Sequence, residues 1–211
     1  MANSSRGRNT QTTWIIGAVI GVVIAVAAIV AISSTGGKET ASDLQQFGTV
    51  EVVGEPLPQF TSEEGDTAVG MAAPVVNGTG FAGNAISTSH GTPMLIVFLA
   101  HWCPHCQREV PLLVEWEKSG ATPAGIDVIA IATGTDPANP NYPPSDWLAR
   151  EQFPALWPVM ADSKKFEAAE AYGLQGYPYF VLVDAEGKVA KRMSGEIPMD
   201  QLTKEIQAVL G

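Results

Sequence analysis

The chain has 211 residues, with 22 acidic against 12 basic side chains, a net charge of −10, 45% hydrophobic residues and two cysteines. This balance argues against a nucleic-acid-binding protein and against docking on anionic lipid through a basic patch. The length allows one ordinary domain with extensions.

The first element is apolar: Trp14–Ile32 is nineteen residues without a charge or a proline. As a helix it spans roughly 28 Å, close to the hydrocarbon thickness of a bilayer. Arg6 and Arg8 precede it and no acid does. Residues 1–13 are therefore expected in the cytoplasm, 14–32 as a single-pass transmembrane anchor, and the remainder outside the cell membrane. A cleaved signal peptide is the alternative. Its apolar region is ordinarily about 7–15 residues and ends in a small-x-small site, whereas Ser33-Ser34-Thr35-Gly36-Gly37 has no clear one. No cysteine stands directly after the apolar run, which excludes a lipoprotein anchor. Residues 33–211 carry all 22 acids and 10 of the bases, a net charge of −12.

Residues 33–68, rich in Ser, Thr, Gly and acids, are expected to form a mostly extended acidic linker, and the globular pattern starts at Val69. Ala73–Val76 and Ala85–Thr88 flank a glycine-rich stretch and read as a hairpin, with Asn77-Gly78 as a turn rather than a glycosylation site. Met94–Ala100 is fully apolar, as expected of a central strand covered on both faces. Gln107–Lys118 is helical, with Pro111 expected to kink it, and Ile126–Ala132 is a second buried strand. A Pro/Asn/Gly-rich loop, Thr133–Pro144, leads to a short helix capped by Ser145. Trp157–Ala161 is a short strand, and Asp162 or Ser163 caps a helix over Lys164–Tyr172 that Gly173 ends. Tyr179–Asp184 and Lys188–Ser194 form a hairpin, and Pro198 opens the last helix. Helices alternating with strands predict an α/β fold: a mixed central sheet flanked by helices, with an extra N-terminal β-hairpin.

Both cysteines lie in one tetrapeptide, Cys103-Pro104-His105-Cys106, directly after the apolar strand. A vicinal pair at the start of a helix suits thiol–disulfide exchange, because unpaired N–H groups and the helix dipole favour an anion at Cys103. Cys106, one turn in, is the resolving thiol, and Pro104 sits where its missing N–H is not needed. His105 can offer the thiolate a hydrogen bond or a positive charge. That favours the reduced pair and makes the disulfide a stronger oxidant. The two sulfurs carry this chemistry without a cofactor or metal. Half of a zinc site is the competing reading, but a second C-x-x-C is absent, and His90, His101 and His105 are the remaining soft candidates. So short a disulfide loop also stabilises little as a structural staple. Trp102 can cover the sulfurs or simply end a strand. His101 reads as a surface residue. Tyr177-Pro178 enters a strand, and a cis peptide there would present a backbone edge with which a substrate strand could pair. Glu109, three residues after Cys106, can shuttle a proton or be an ordinary solvated helix residue.

The run Trp102-Cys103-Pro104-His105-Cys106, the strand before it and Tyr177-Pro178 resemble the thioredoxin superfamily. Val69–Pro74, Phe98–Pro111, Ala171–Pro178 and Val183–Val189 are more narrowly similar to its membrane-anchored TlpA/ResA group, a resemblance covering residues 69–211. It implies a thioredoxin fold, Cys103 as nucleophile, Cys106 as resolving thiol, Pro178 in cis, and Glu109 as the acid that group carries after its C-x-x-C. Three departures stand out. Val97 occupies the place of thioredoxin's buried acid, the dipeptide Pro104-His105 is that of the oxidant DsbA, and Tyr177 is bulkier than the usual residue before the proline.

The expected function is a membrane-tethered extracytoplasmic thiol–disulfide oxidoreductase. Its partners would be exported cysteine-containing proteins and a membrane redox protein that recharges the pair. Oxidation of exported proteins is weighed against reduction of exported thiols such as apocytochrome c. A redox-inert binding module or metallochaperone is the non-enzymatic alternative, and a thiol peroxidase fits poorly because Ala100 stands where a hydroxyl residue is wanted.

Overall fold

In the computed structural model, residues 44–89 and 91–211 are described, and the expected anchor at 14–32 lies outside them. No helix among the described residues is long and apolar enough to cross a membrane.

The apolar run becomes β4 (Met94–Leu99), buried at every position. It pairs in parallel with β5 (Asp127–Ala132) and antiparallel with β7 (Tyr179–Val183). Beyond β5 lies β6 (Val159–Ala161), parallel to it, and beyond β7 lies β8 (Val189–Ser194), antiparallel to it. Because strand side chains alternate between faces, β4 supplies two cores. Leu95, Val97 and Leu99 pack with α1 (Pro104–Lys118), α2 (Pro144–Arg150) and α4 (Met199–Leu210). Met94, Ile96 and Phe98 pack with α3 (Glu167–Ala171) on the other face. This mixed sheet with helices on both faces is a thioredoxin-like α/β fold.

The expected hairpin is present as β2 (Val75–Gly80) and β3 (Ala85–Ser87). Its turn, however, is at Phe81–Asn84, and Asn77-Gly78 lies inside β2. Glycine is needed there because the sheet closes in. A Cβ on Gly78 would lie 2.7 Å from the Met160 sulfur and 3.0 Å from the Thr49 carbonyl.

The segment expected as an extended linker is, in its described part, built into the domain. Val50–Val53 forms β1, an edge strand antiparallel to β2. After it, Leu57, Phe60 and Ala68 are buried in the α3-side core. The physical reason is that α3 is only five residues long and cannot cover that face alone. The strap 57–68 is fixed by backbone bonds from Leu57 to Ala171 and from Phe60 to Gly173, and by a buried ion pair. Arg192 on β8 donates from Nε and Nη2 to the Asp66 carboxylate at 2.8 and 2.5 Å, and from Nη1 to the carbonyls of Pro58 and Tyr172 at 2.7 and 3.1 Å.

The helix starts shift in explicable ways. α1 begins at Pro104, with Cys103 at its N-cap, and continues through Pro111. Ser145 does not cap α2; Pro143 does, while Ser145 is buried and exchanges two hydrogen bonds with Gln46 from the N-terminal segment. α3 starts at Glu167 because Phe166 adopts a left-handed conformation at φ 59°. Asp162 still serves it, accepting from the N–H groups of Ala168 and Ala169.

Candidate active site

Strand β4 delivers the chain to the start of α1, where both cysteines are free thiols. Cys103, at φ −74° and ψ 120°, leaves its side chain ahead of the first helical turn. It retains 6% of its exposure, whereas Cys106 has none. Cys103 Sγ lies 3.8 Å from the carbonyl oxygen of Tyr177. Cys106 Sγ accepts the Ala100 N–H at 3.5 Å, and burial pushes its thiol well above the usual range. The two sulfurs are therefore unequal: one reaches the surface, and the other is desolvated behind it.

The Tyr177–Pro178 peptide is cis. Trp102 and Tyr177 stand beside Cys103 and meet edge to face with centroids 5.7 Å apart. The indole Nε1 donates to the Gly134 carbonyl at 2.7 Å. Gly134 is at φ +61°, and a Cβ there would lie 2.8 Å from the Tyr177 hydroxyl. The bulk of Tyr177 is thus accommodated by a glycine in the loop after β5. Burial pushes the Tyr177 phenol up to about 12, which keeps it neutral. Beneath this loop the Thr133 hydroxyl donates to Asp162 at 2.7 Å.

His101 is buried rather than at the surface. Its Nδ1 lies 2.6 Å from the Pro140 carbonyl, and its Nε2 accepts the Asp136 N–H at 3.2 Å. These bonds fold the loop after β5 against the strand end, and burial lowers the imidazole pKa. Val97, in the place of thioredoxin's buried acid, is wholly buried core.

Glu109 is fully buried rather than a solvated helix residue. Its Oε1 accepts the Ile197 N–H at 3.3 Å, while Oε2 has no hydrogen-bond partner among the described residues. Burial is the main cause that pushes its pKa up to about 7. It lies on the Cys106 side of α1, three residues on, and its charge acts on the Cys106 thiol. The arrangement puts a carboxyl that can hold or release a proton near neutrality close to the Cys106 thiol.

His105 is engaged by the turn that follows β8. Its Nδ1 is 2.6 Å from Glu196 Oε1. Arg108, one turn further along α1, donates to the same carboxylate from Nε at 3.0 Å and from Nη2 at 2.5 Å. Hydrogen bonds from Arg108 and, less strongly, from His105 hold Glu196 down to about 2. Sequence reading missed Glu196, which stands 91 positions from His105 and carries no spacing signal. Among the described residues no group of three or more His, Cys, Asp or Glu side chains could hold a metal.

The raised Glu109 pKa has a stability consequence. A carboxyl whose folded value of about 7 exceeds its ordinary 4.5 makes the folded state the better proton binder between those values. Stability then falls as pH rises across that window. Glu109→Gln removes this loss. Relative to the parent, the variant should gain about 3 kcal/mol between pH 4 and pH 8, at 1.36 kcal/mol per pH unit. Denaturant unfolding at the two pH values measures it.

The Redoxin family model matches residues 53–210. The thiol-disulfide oxidoreductase ResA of Bacillus thuringiensis subsp. konkukian is 29% identical over 153 residues, covering 71% of this chain and 83% of that protein. The methylamine utilization protein MauD of Methylophilus methylotrophus is 29% identical over 150 residues, covering 69% of this chain and 64% of its own length. Among solved structures, a candidate thiol:disulfide interchange protein DsbE from Chlorobium tepidum aligns with a TM-score of 0.55 at 28% identity, covering 68% of this chain and 98% of that one.

Proposed function

The chain belongs to the Redoxin family, and from that premise we propose that it is a membrane-tethered, extracytoplasmic thiol–disulfide oxidoreductase that oxidises exported proteins. The observation that supports this most is the pairing of an edge-exposed Cys103 with a buried Cys106 beside the Tyr177 carbonyl. In this reading residues 14–32 anchor the protein, residues 1–13 face the cytoplasm, and the globular unit works outside.

The exchange balances as follows. A substrate thiolate attacks Cys103 Sγ of the oxidised pair, the Cys103–Cys106 bond breaks, and Cys106 leaves as a thiolate. Burial disfavours that anion, and Glu109 supplies the proton that neutralises it. A second substrate thiolate attacks the substrate sulfur of the mixed disulfide, and Cys103 leaves as a thiolate. The substrate is oxidised by two electrons and the pair is reduced, after which a membrane redox partner withdraws those electrons. Tyr177, cis-Pro178 and Trp102 line the approach and hold the substrate backbone across the sulfur.

The reverse direction, reduction of exported disulfides such as those of apocytochrome c, is favoured by one observation. The His105 Nδ1 that would serve an oxidant is engaged by Glu196. The reduction potential decides between the two. Equilibration of the full chain with glutathione buffers should give a value nearer that of DsbA, about −120 mV, than that of thioredoxin, about −270 mV. A value at the thioredoxin end reverses the direction, and the absence of a reversible couple removes the enzyme reading in favour of a binding module.

A further inference from the structure

The turn between β8 and α4 touches each part of the dithiol site through three consecutive residues. The Gly195 N–H donates to the Pro178 carbonyl at 2.9 Å. The Glu196 carboxylate engages His105 Nδ1 at 2.6 Å and Arg108 Nε and Nη2 at 3.0 and 2.5 Å. The Ile197 N–H donates to Glu109 at 3.3 Å. Gly195, at φ +93°, permits the turn.

The structure assigns Glu196 as the positioning residue of the cysteine pair: it draws His105 and Arg108 onto itself and thereby holds the disulfide less oxidising than its Pro104-His105 dipeptide alone would make it. This rests on the reading above that Cys103 and Cys106 cycle between dithiol and disulfide.

Proton bookkeeping supports the assignment. A nitrogen 2.6 Å from a carboxylate oxygen can bond to it only as a donor, so His105 carries its proton on Nδ1. Nδ1 then cannot accept from Arg108 Nη2, which lies 2.9 Å away, and Arg108 gives its hydrogens to Glu196 instead. The Nδ1 hydrogen of His105 is therefore committed to Glu196 and not to Cys103. Arg108, a cation close enough to Cys103 to feel its charge, is paired with the same carboxylate through two nitrogens, the geometry in which a guanidinium is best held. With the Glu196 charge set against His105 and Arg108, a Cys103 thiolate is less favoured, the dithiol form is less stable, and the disulfide is a weaker oxidant.

The test is the equilibrium of the full chain with reduced and oxidised glutathione. Glu196→Gln keeps the size and removes the charge. It should shift the equilibrium constant about tenfold towards the dithiol, which is ~30 mV for a two-electron couple. Glu196→Asp, which restores the carboxylate, should return the constant to within about threefold of the parent. In a His105→Ala/Arg108→Ala background, Glu196→Gln should have no effect beyond about twofold. An unchanged constant in the single Glu196→Gln variant, a shift towards the disulfide, or an undiminished shift in the background lacking both cations overturns the assignment. If the parent chain shows no reversible couple, it is the oxidoreductase reading that fails, so the two failures are told apart.

Discussion

Cys103→Ser should abolish thiol–disulfide exchange, and Cys106→Ser should stop it one step later. The two substitutions differ because the two sulfurs do. Cys103 is the thiol that reaches the surface, and its Sγ stands against the Tyr177 carbonyl. With a hydroxyl there, no sulfur is accessible to attack or be attacked, because Cys106 is sealed in the core and its thiol is pushed up by burial. Turnover of a small peptide disulfide should fall at least about a thousandfold, as losses of a covalent nucleophile do. In Cys106→Ser the first bond still forms, but nothing resolves it. Mixed disulfides with substrate should accumulate, visible by mass spectrometry and removed by dithiothreitol. Adducts on Cys103→Ser, or a Cys106→Ser protein that exchanges freely and traps nothing, would reverse the assigned roles.

Asp66→Ala should cost stability rather than chemistry. Arg192 is wholly buried, and the Asp66 carboxylate is its only charged partner among the described residues; its other hydrogen bonds go to the carbonyls of Pro58 and Tyr172. Removing one member of a buried pair leaves the other charge uncompensated, at a cost of about 3–5 kcal/mol. That is a large share of the roughly 5–15 kcal/mol that holds a domain folded. The loss would also free the strap that covers the α3-side core. Replacing both members by apolar side chains, Asp66→Leu with Arg192→Met, should cost less, since no charge is then stranded. Urea unfolding of the three proteins reads this directly. Equal losses in the single and double variants would show that strap packing, not the charge, carries the energy. The pH dependence has a definite sign. Arg192 holds the Asp66 carboxyl below its ordinary 3.8, so its contribution is present above that value and is lost as pH falls through the lowered one.

The central strand, the cysteine pair at a helix mouth and the β2–β3 hairpin were legible because each is a local signal: an unbroken apolar run, a spacing, and glycines between short strands. The N-terminal strap was not. Leu57 and Phe60 are isolated among acids and prolines, and nothing nearby indicates that α3 would be too short to cover its face. His101 read as a surface residue because the partners that bury it, Pro140 and Asp136, come from a loop more than thirty positions away. Glu109 was visible as a candidate by its place three residues after Cys106. Its burial was not, because a glutamate with an unpaired buried oxygen is rare enough that composition argues against it. Glu196 was invisible for the same reason as the strap. Its meaning lies in which side chains the β8–α4 turn brings within reach, and that follows from the sheet order rather than from any motif.

The shallow recess of Cys103, between the Trp102 and Tyr177 rings and under the Tyr177 carbonyl, makes access depend on the suppleness of the incoming chain. A cysteine fixed in a finished domain has little freedom to bring its backbone up to a sulfur with 6% of its surface showing. A cysteine on a slack, extended stretch has that freedom. Under the proposed exchange the recess would then act as a clock, open to a client whose polypeptide is still pliable and closed to one that has settled.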